Sequence, residues 1–208
     1  MELYGYSLKV NSTLLFEDVY TVFYRGEINH LLGSNGVGKS CLAKSFHDNN
    51  FKGTIKDAGK ICIIGSYTNI PGDLKLNDIL HIISRNGSNN NLYENLKKRL
   101  EIDSIEKNKC CKYLSDGQRQ RIKLLCFLLD EPDTLVLDEF TTALDKRTMI
   151  ELYTFLSEYI REQQITLINI THNLVDLEYL KGRYYHIENK KIVNYENKDD
   201  LINAYIKL

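Results

Sequence analysis

The run Gly33-Ser34-Asn35-Gly36-Val37-Gly38-Lys39-Ser40 constrains this 208-residue chain more than any other stretch. Its spacing is that of a phosphate-binding loop: Gly, four residues, Gly, Lys, then Ser or Thr. Glu27-Ile28-Asn29-His30-Leu31-Leu32 before it reads as a short buried strand, and Cys41 to Phe46 after it reads as a helix. Glycines let the backbone turn tightly enough to aim successive N–H groups at one anion. The helix that follows adds its positive N-terminal end. Residues 33–41 would therefore line a nucleotide's phosphates. Lys39 would reach the β- and γ-phosphates, and the Ser40 hydroxyl would face Mg²⁺.

Four further patterns follow in order. Leu114-Ser115-Asp116-Gly117-Gln118 precedes a helical segment, Arg119 to Leu129. Thr134-Leu135-Val136-Leu137-Asp138-Glu139 reads as an apolar strand that ends in two carboxylates. Ala143-Leu144-Asp145 comes next, and Thr171-His172 closes another apolar strand, Ile165 to Ile170. Together with the glycine loop, this order resembles the ATP-binding cassette (ABC) ATPase family. There the same elements are the Walker A loop, the signature, the Walker B strand, the D-loop and the switch histidine. The resemblance runs from about Leu14 to Val193.

The resemblance implies an α/β fold: a P-loop NTPase core with an N-terminal antiparallel β-subdomain and an inserted helical subdomain. One nucleotide-binding domain, 1–208, would divide into a core (1–69 and 130–208) and a helical subdomain (70–129). ATP and Mg²⁺ are the implied cofactors, and ATP hydrolysis to ADP and phosphate the implied reaction. Asp138 would orient the metal shell, with Ser40 and Asn69 as further metal-facing groups. Glu139 would act as general base or water-orienting carboxylate, with Lys39 and His172 on the γ-phosphate. Ser115, Gly117 and Gln118 would form an anion site at a helix start that faces the γ-phosphate held by a second subunit. Asp145 would cross the same interface.

The implied partners are a second ABC ATPase subunit, in a homodimer or heterodimer, and an integral membrane permease. The chain would then be cytoplasmic and peripheral on the inner face of the membrane, held there by the permease. Small size without a regulatory domain resembles exporters of peptides or antibiotics. A soluble ABC ATPase acting in protein or cofactor assembly is the alternative.

Four departures from the family pattern stand out. Asp116 replaces the first glycine of the signature, where a carboxylate would repel a γ-phosphate unless it turned outward or capped the helix. Phe140 replaces the proline that usually follows the Walker B glutamate. No glutamine follows the strand Ile61-Cys62-Ile63-Ile64; Asn69 is the nearest amide. The usual adenine-stacking aromatic falls near Val10, with Tyr4 and Tyr6 close by.

A formal net charge of −1 gives no basic footprint for nucleic acid. No signal peptide and no apolar run of about 18 residues is present, so the chain is not expected to span a membrane by itself. The five cysteines have no zinc-type spacing and read as free thiols, with Cys110-Cys111 exposed before the signature. His30 belongs to the end of a buried strand; His47, His81 and His186 read as surface or partly buried. Further along, periodicity predicts helices from Leu74 and over Leu92 to Leu100, separated by a loop at Asn86–Asn91. A helix over Lys146–Gln163, a hairpin turning at Asn189-Lys190 and a helical tail from Asp199 to Leu208 complete the expectations.

Overall fold

The computed structural model describes residues 1–48, 50–86 and 89–206. The chain opens with β1 (Glu2–Val10), β2 (Thr13–Val22) and β3 (Ile28–Leu32), then helix α1 (Lys39–Asp48), β4 (Lys52–Lys56) and β5 (Ile61–Ile64). Helices α2 (Leu76–Asn86), α3 (Asn90–Arg99) and α4 (Asp116–Leu128) follow before β6 (Thr134–Asp138). Helix α5 (Lys146–Gln163), β7 (Thr166–Thr171), the short α6 (Asp176–Tyr179), β8 (Arg183–Glu188), β9 (Lys191–Tyr195) and α7 (Lys198–Ile206) complete it.

Strands β3, β6 and β7 are buried at every position. Such continuously buried strands belong in the middle of a parallel sheet covered on both faces. They form the centre of a six-stranded sheet in the order β5-β6-β7-β3-β8-β9, parallel except for the edge strand β9. Side chains alternate between two cores, as the pleat requires. Cys62, Ile64, Leu135, Leu137 and Leu167 pack with α2, α3, α4 and α5. Ile63, Val136, Ile168 and Ile170 pack on the other side with α1 and the antiparallel sheet β2-β1-β4. Helix α1 is thus held between two sheets, which fixes the glycine loop that leads into it.

The α/β class, the antiparallel N-terminal sheet and the helices between β5 and β6 agree with the sequence. Several details differ. Strand β4, Lys-Gly-Thr-Ile-Lys, has only one side chain that is even half-buried, so it carries no apolar signal. The signature helix begins at Asp116, three residues earlier than its apolar pattern, because Ser115 caps it. The loop expected at Asn86–Asn91 shrinks: α2 reaches Asn86, Asn89 caps α3, and residues 87 and 88 lie outside the described residues, as do the last two of the expected tail helix. Cys111 is buried and Cys110 half-buried rather than exposed. His186 is fully buried, because α7 covers the face of β8 that points away from Tyr185 and Ile187; His47 and His81 are exposed.

His30 sits in the middle of β3 rather than at its end, fully buried. One ring nitrogen lies 2.7 Å from the Leu180 carbonyl and the other 3.2 Å from Asn169 Nδ2. Burial pushes its pKa down to about 4, partly offset by the Leu180 carbonyl. A folded pKa below the unfolded 6.5 means that the unfolded chain binds the proton first. The neutral ring's stability is present above pH 6.5 and is lost as pH falls toward 4, to roughly 3 kcal/mol. Urea unfolding of wild type should therefore show stability falling between pH 6.5 and 4.5. That slope should be smaller in His30→Gln, and equal slopes would contradict the assignment.

Candidate functional site

The glycine loop runs from the C-terminal end of β3 into α1. Gly36 and Gly38 have φ of +82° and +106°, values that side chains rarely tolerate. A Cβ at Gly38 would also come within 3.1 Å of Leu15 Cδ1, so the antiparallel sheet presses on the loop from outside. Lys39 folds back inside the turn: its buried ammonium donates to the carbonyls of Gly33 (2.8 Å) and Ser34 (3.1 Å). Burial holds its pKa below the ordinary lysine value, opposed by Glu139 and Asp138.

The parallel register brings the end of β6 to the same level. Asp138 pairs with Ile170, and the Glu139 amide continues the ladder by donating to the Ile170 carbonyl at 2.9 Å. Glu139 then takes a left-handed turn, φ +53°. That turn swings its carboxylate toward the loop: Oε1 lies 3.9 Å from Lys39 Nζ and 3.0 Å from His172 Nδ1. Lys39, Glu139 and His172, from three elements, therefore converge. Asp138 is buried beneath them. Burial pushes its carboxyl pKa up, and the Ser40 hydroxyl, then Lys39 and Lys44, pull it back.

A cleft of about 210 Å³ opens in front of these groups, lined by Asn35, Gly36, Gly38, Lys39, Ser40, Cys41 and Glu139. Its polar atoms are loop N–H groups, a hydroxyl, an ammonium and a carboxylate, the complement of a phosphate chain with a hard cation. Asp138 Oδ1 is buried without a hydrogen-bond partner among the described residues, so one acceptor at this site is left for a further ligand. Among the described residues no three His, Cys, Asp or Glu side chains cluster to hold an ion alone. The oxygen donors that are present, Asp138 and the Ser40 hydroxyl, fit a hard cation such as Mg²⁺, which takes one or two protein oxygens and completes its shell with water and phosphate.

The signature residues lie elsewhere. Ser115 caps α4: its hydroxyl accepts from Gln118 N (3.2 Å), while Ser115 N donates to Gln118 Oε1 (3.1 Å), a reciprocal capping box. Ser115, Gly117 and Gln118 are not among the residues lining the cleft. Asp116 is half-exposed, turned outward in an ion pair with Arg119; the cap is Ser115, not Asp116. Asp145 caps α5, accepting from the amide and hydroxyl of Thr148 at 3.0 and 2.7 Å, and those bonds hold its carboxyl below the usual range. Phe140 is buried, and its carbonyl accepts from Gln120 Nε2. It fills core where proline was expected.

Two sequence expectations do not meet the site. Asn69 is exposed and has no hydrogen bond among those of the described residues; Tyr67 is the residue of that segment beside Asp138. Of the adenine candidates, Tyr6 is fully buried, with its hydroxyl on Ser45, and Tyr4 is exposed against Tyr20. Val10 is half-buried. Sequence reasoning gave neither Lys44 nor Tyr67 a place at this site; it put Tyr67 only at the start of a docking surface for the permease, Tyr67 to Ile83.

Residues 16–142 match the ABC transporter family. The chain is 41% identical, over 99% of both chains, to a Bacillus subtilis protein named "Probable peptide export ATP-binding protein YydI". It is 30% identical to the tyrosine transport ATP-binding protein of Clostridioides difficile, over 77% of this chain and 75% of that one. In fold it resembles the ATP-binding subunit of an ABC transporter, with a TM-score of 0.77 at 20% identity over 99% of this chain and 95% of the other. Among the described residues no helix is long and apolar enough to cross a membrane. With its glycine loop, paired carboxylates and signature in family order, the chain belongs to the ABC transporter ATP-binding proteins, the ATPase subunits whose ATP hydrolysis powers transport.

Proposed function

We propose that this chain drives export of a peptide, as one of two ATPase subunits docked on an integral membrane permease at the inner face of the membrane. The observation that carries the reading is the 41% identity, end to end, with a protein named for peptide export. The two chains match over their whole lengths, so the likeness extends beyond the shared motifs.

The cycle we infer uses this chain's own groups. Loop N–H groups and Lys39 bind the phosphates of ATP. Asp138 and Ser40 would hold Mg²⁺, which when bound neutralises phosphate charge. Glu139 accepts a proton from the attacking water, and His172, held by Glu139, offers its other ring nitrogen to the γ-phosphate.

The cleft lacks signature residues, which favours a head-to-tail dimer in which a second chain supplies Ser115 and Gly117. Ser115 can serve both roles: its oxygen accepts the capping bond while its O–H remains free to donate. Asp145 would lie at the same interface. We propose the division into a core (1–69 and 130–208) and a helical subdomain (70–129) as the two bodies that shift when the dimer closes.

Three outcomes test this reading. Lys39→Ala removes a charge-assisted contact and should weaken Mg-ATP binding at least about ten-fold; calorimetric titration that finds equal affinities would exclude Lys39 from the phosphate site. Glu139→Gln should slow hydrolysis by roughly 10²–10⁴ and trap an ATP-bound dimer visible by light scattering, with Mg-ADP giving monomers. In cells, the same variant should stop the peptide from appearing outside, and continued export would refute the transport role.

Asp116→Gly, tested in the Glu139→Gln background, should leave ATP-driven dimerisation within about two-fold, because the carboxylate already turns outward to Arg119 in an exposed pair. The same change should lower the melting temperature by about 2–4 °C, since glycine weakens the first turn of α4 by up to ~1 kcal/mol. Markedly tighter dimers would mean that Asp116 faces the opposing phosphate after all.

A further inference from the structure

The turn after β5 brings an aromatic ring against the Asp138 carboxylate. Ile64 pairs with Leu137 in the parallel ladder, so Gly65 stands level with Asp138. A Cβ at Gly65 would come within 2.9 Å of Tyr67 Cε1 and 3.3 Å of Asp138 Cβ. Only a residue without a side chain leaves room for ring and carboxylate together. Thr68 clasps the turn: Gly65 N donates to its Oγ1 at 2.9 Å, and that hydroxyl donates to the Gly65 carbonyl at 2.8 Å. From α1, Lys44 Nζ lies 4.4 Å from the centre of the Tyr67 ring, a cation–π contact that fixes the ring against the helix of the glycine loop.

This well-held ring ends in an unpartnered group. Tyr67 Oη and Asp138 Oδ1 are both buried, and neither has a hydrogen-bond partner among the described residues. Buried polar atoms in folded proteins almost always have one. Both side chains flank the same point above Gly65, yet they do not bond to each other. Both oxygens can accept, so a water within reach of both would donate one O–H to each. A water bound to a divalent cation is a stronger donor than a free one, and Mg²⁺ keeps several waters when it binds through a single carboxylate and phosphates.

We propose that Tyr67 is a positioning residue for the cation of the nucleotide site: its hydroxyl and Asp138 Oδ1 together hold one water of the cation's shell. Tyr67 thereby occupies the place that the sequence would give to an amide at Asn69. The inference rests on the Mg-ATP reading above. It assigns to this chain a phenol where the family resemblance implies a carboxamide.

Tyr67→Phe removes one oxygen and keeps the ring, its cation–π contact and its packing on Gly65. In the Glu139→Gln background, calorimetry would give the affinity for ATP with saturating Mg²⁺ and again in excess EDTA. The ratio of the two reports how strongly the cation supports binding. Loss of an outer-shell partner lowers metal affinity by roughly 10-fold or more, so Tyr67→Phe should reduce the ratio by about that factor while the EDTA affinity stays unchanged. An unchanged ratio overturns the role of Tyr67. So does an equal fall in both affinities, which would mark a purely structural part. So does a reduced ratio in Asn69→Ala with none in Tyr67→Phe. A parent protein that binds no ATP under either condition overturns the nucleotide reading itself.

Discussion

One backbone hydrogen bond, from the Glu139 amide to the Ile170 carbonyl, carries the site. It extends the β6–β7 ladder one residue beyond Asp138, past the point where the chain would otherwise drift into solvent. Glu139 then sits in the left-handed region, which costs a residue with a side chain of order 1 kcal/mol. The ladder bond, the His172 contact and the Lys39 ammonium together hold it there. An extended Glu139 would stand its side chain off the face of the sheet opposite Asp138. The left-handed turn directs it across the sheet edge, to the loop from β3 and the histidine after β7. The order of strands matters as much: β7 separates β6 from β3, so the three sites arise at adjacent strand ends, where open α/β sheets place their chemistry.

The sequence was most legible where burial is complete. Residues 28–32, 134–138 and 166–170 each carry three apolar residues in five and are buried throughout, and each is a central strand. It was least legible where an element is held by neighbours alone. Strand β4 exists because β1 offers a paired edge, and nothing in Lys-Gly-Thr-Ile-Lys announces that. His186 alternates with Tyr185 and Ile187, so the strand pattern placed it on the opposite face. That this face is covered depends on α7, a helix whose few apolar contacts give little signal. The early start of α4 could have been found: Ser115 and Gln118 stand at capping-box spacing.

At the candidate site the motif residues were readable, and their surroundings were not. Motif spacing indicates Lys39, Asp138, Glu139 and His172 without any knowledge of packing. The residue after β5 that reaches Asp138 depends on how tightly that turn closes. A search for an amide stops at Asn69. The Gly65–Thr68 clasp closes the turn earlier and presents Tyr67 instead. Lys44 was invisible for a related reason. Its role follows from the face of α1 that meets the β5 turn, and that face is set by the two-sheet arrangement rather than by local pattern.

The same turn leads toward the signature along a short backbone ladder. Past Tyr67 the chain pairs with the segment that precedes Ser115: Cys111 N donates to Leu74 O, Lys112 N to Gly72 O, Leu76 N to Lys109 O and Asn77 N to Lys107 O. Lys112 adds an ion pair with Asp73 at 2.9 Å. Residues 72–77 and 107–112 are therefore bound side by side, and only Tyr113 and Leu114 separate that ladder from Ser115. Bonds of this kind resist relative sliding, so the two segments between the turn beside Asp138 and the start of α4 are paired rather than loose. Helix α4 is itself anchored at its middle, where Arg121 donates to the Leu100 carbonyl and pairs with Glu151 of α5. The signature is thus tied at its start to the turn beside Asp138 and, at the middle of α4, to Leu100 and α5, by hydrogen bonds that no motif in the sequence encodes.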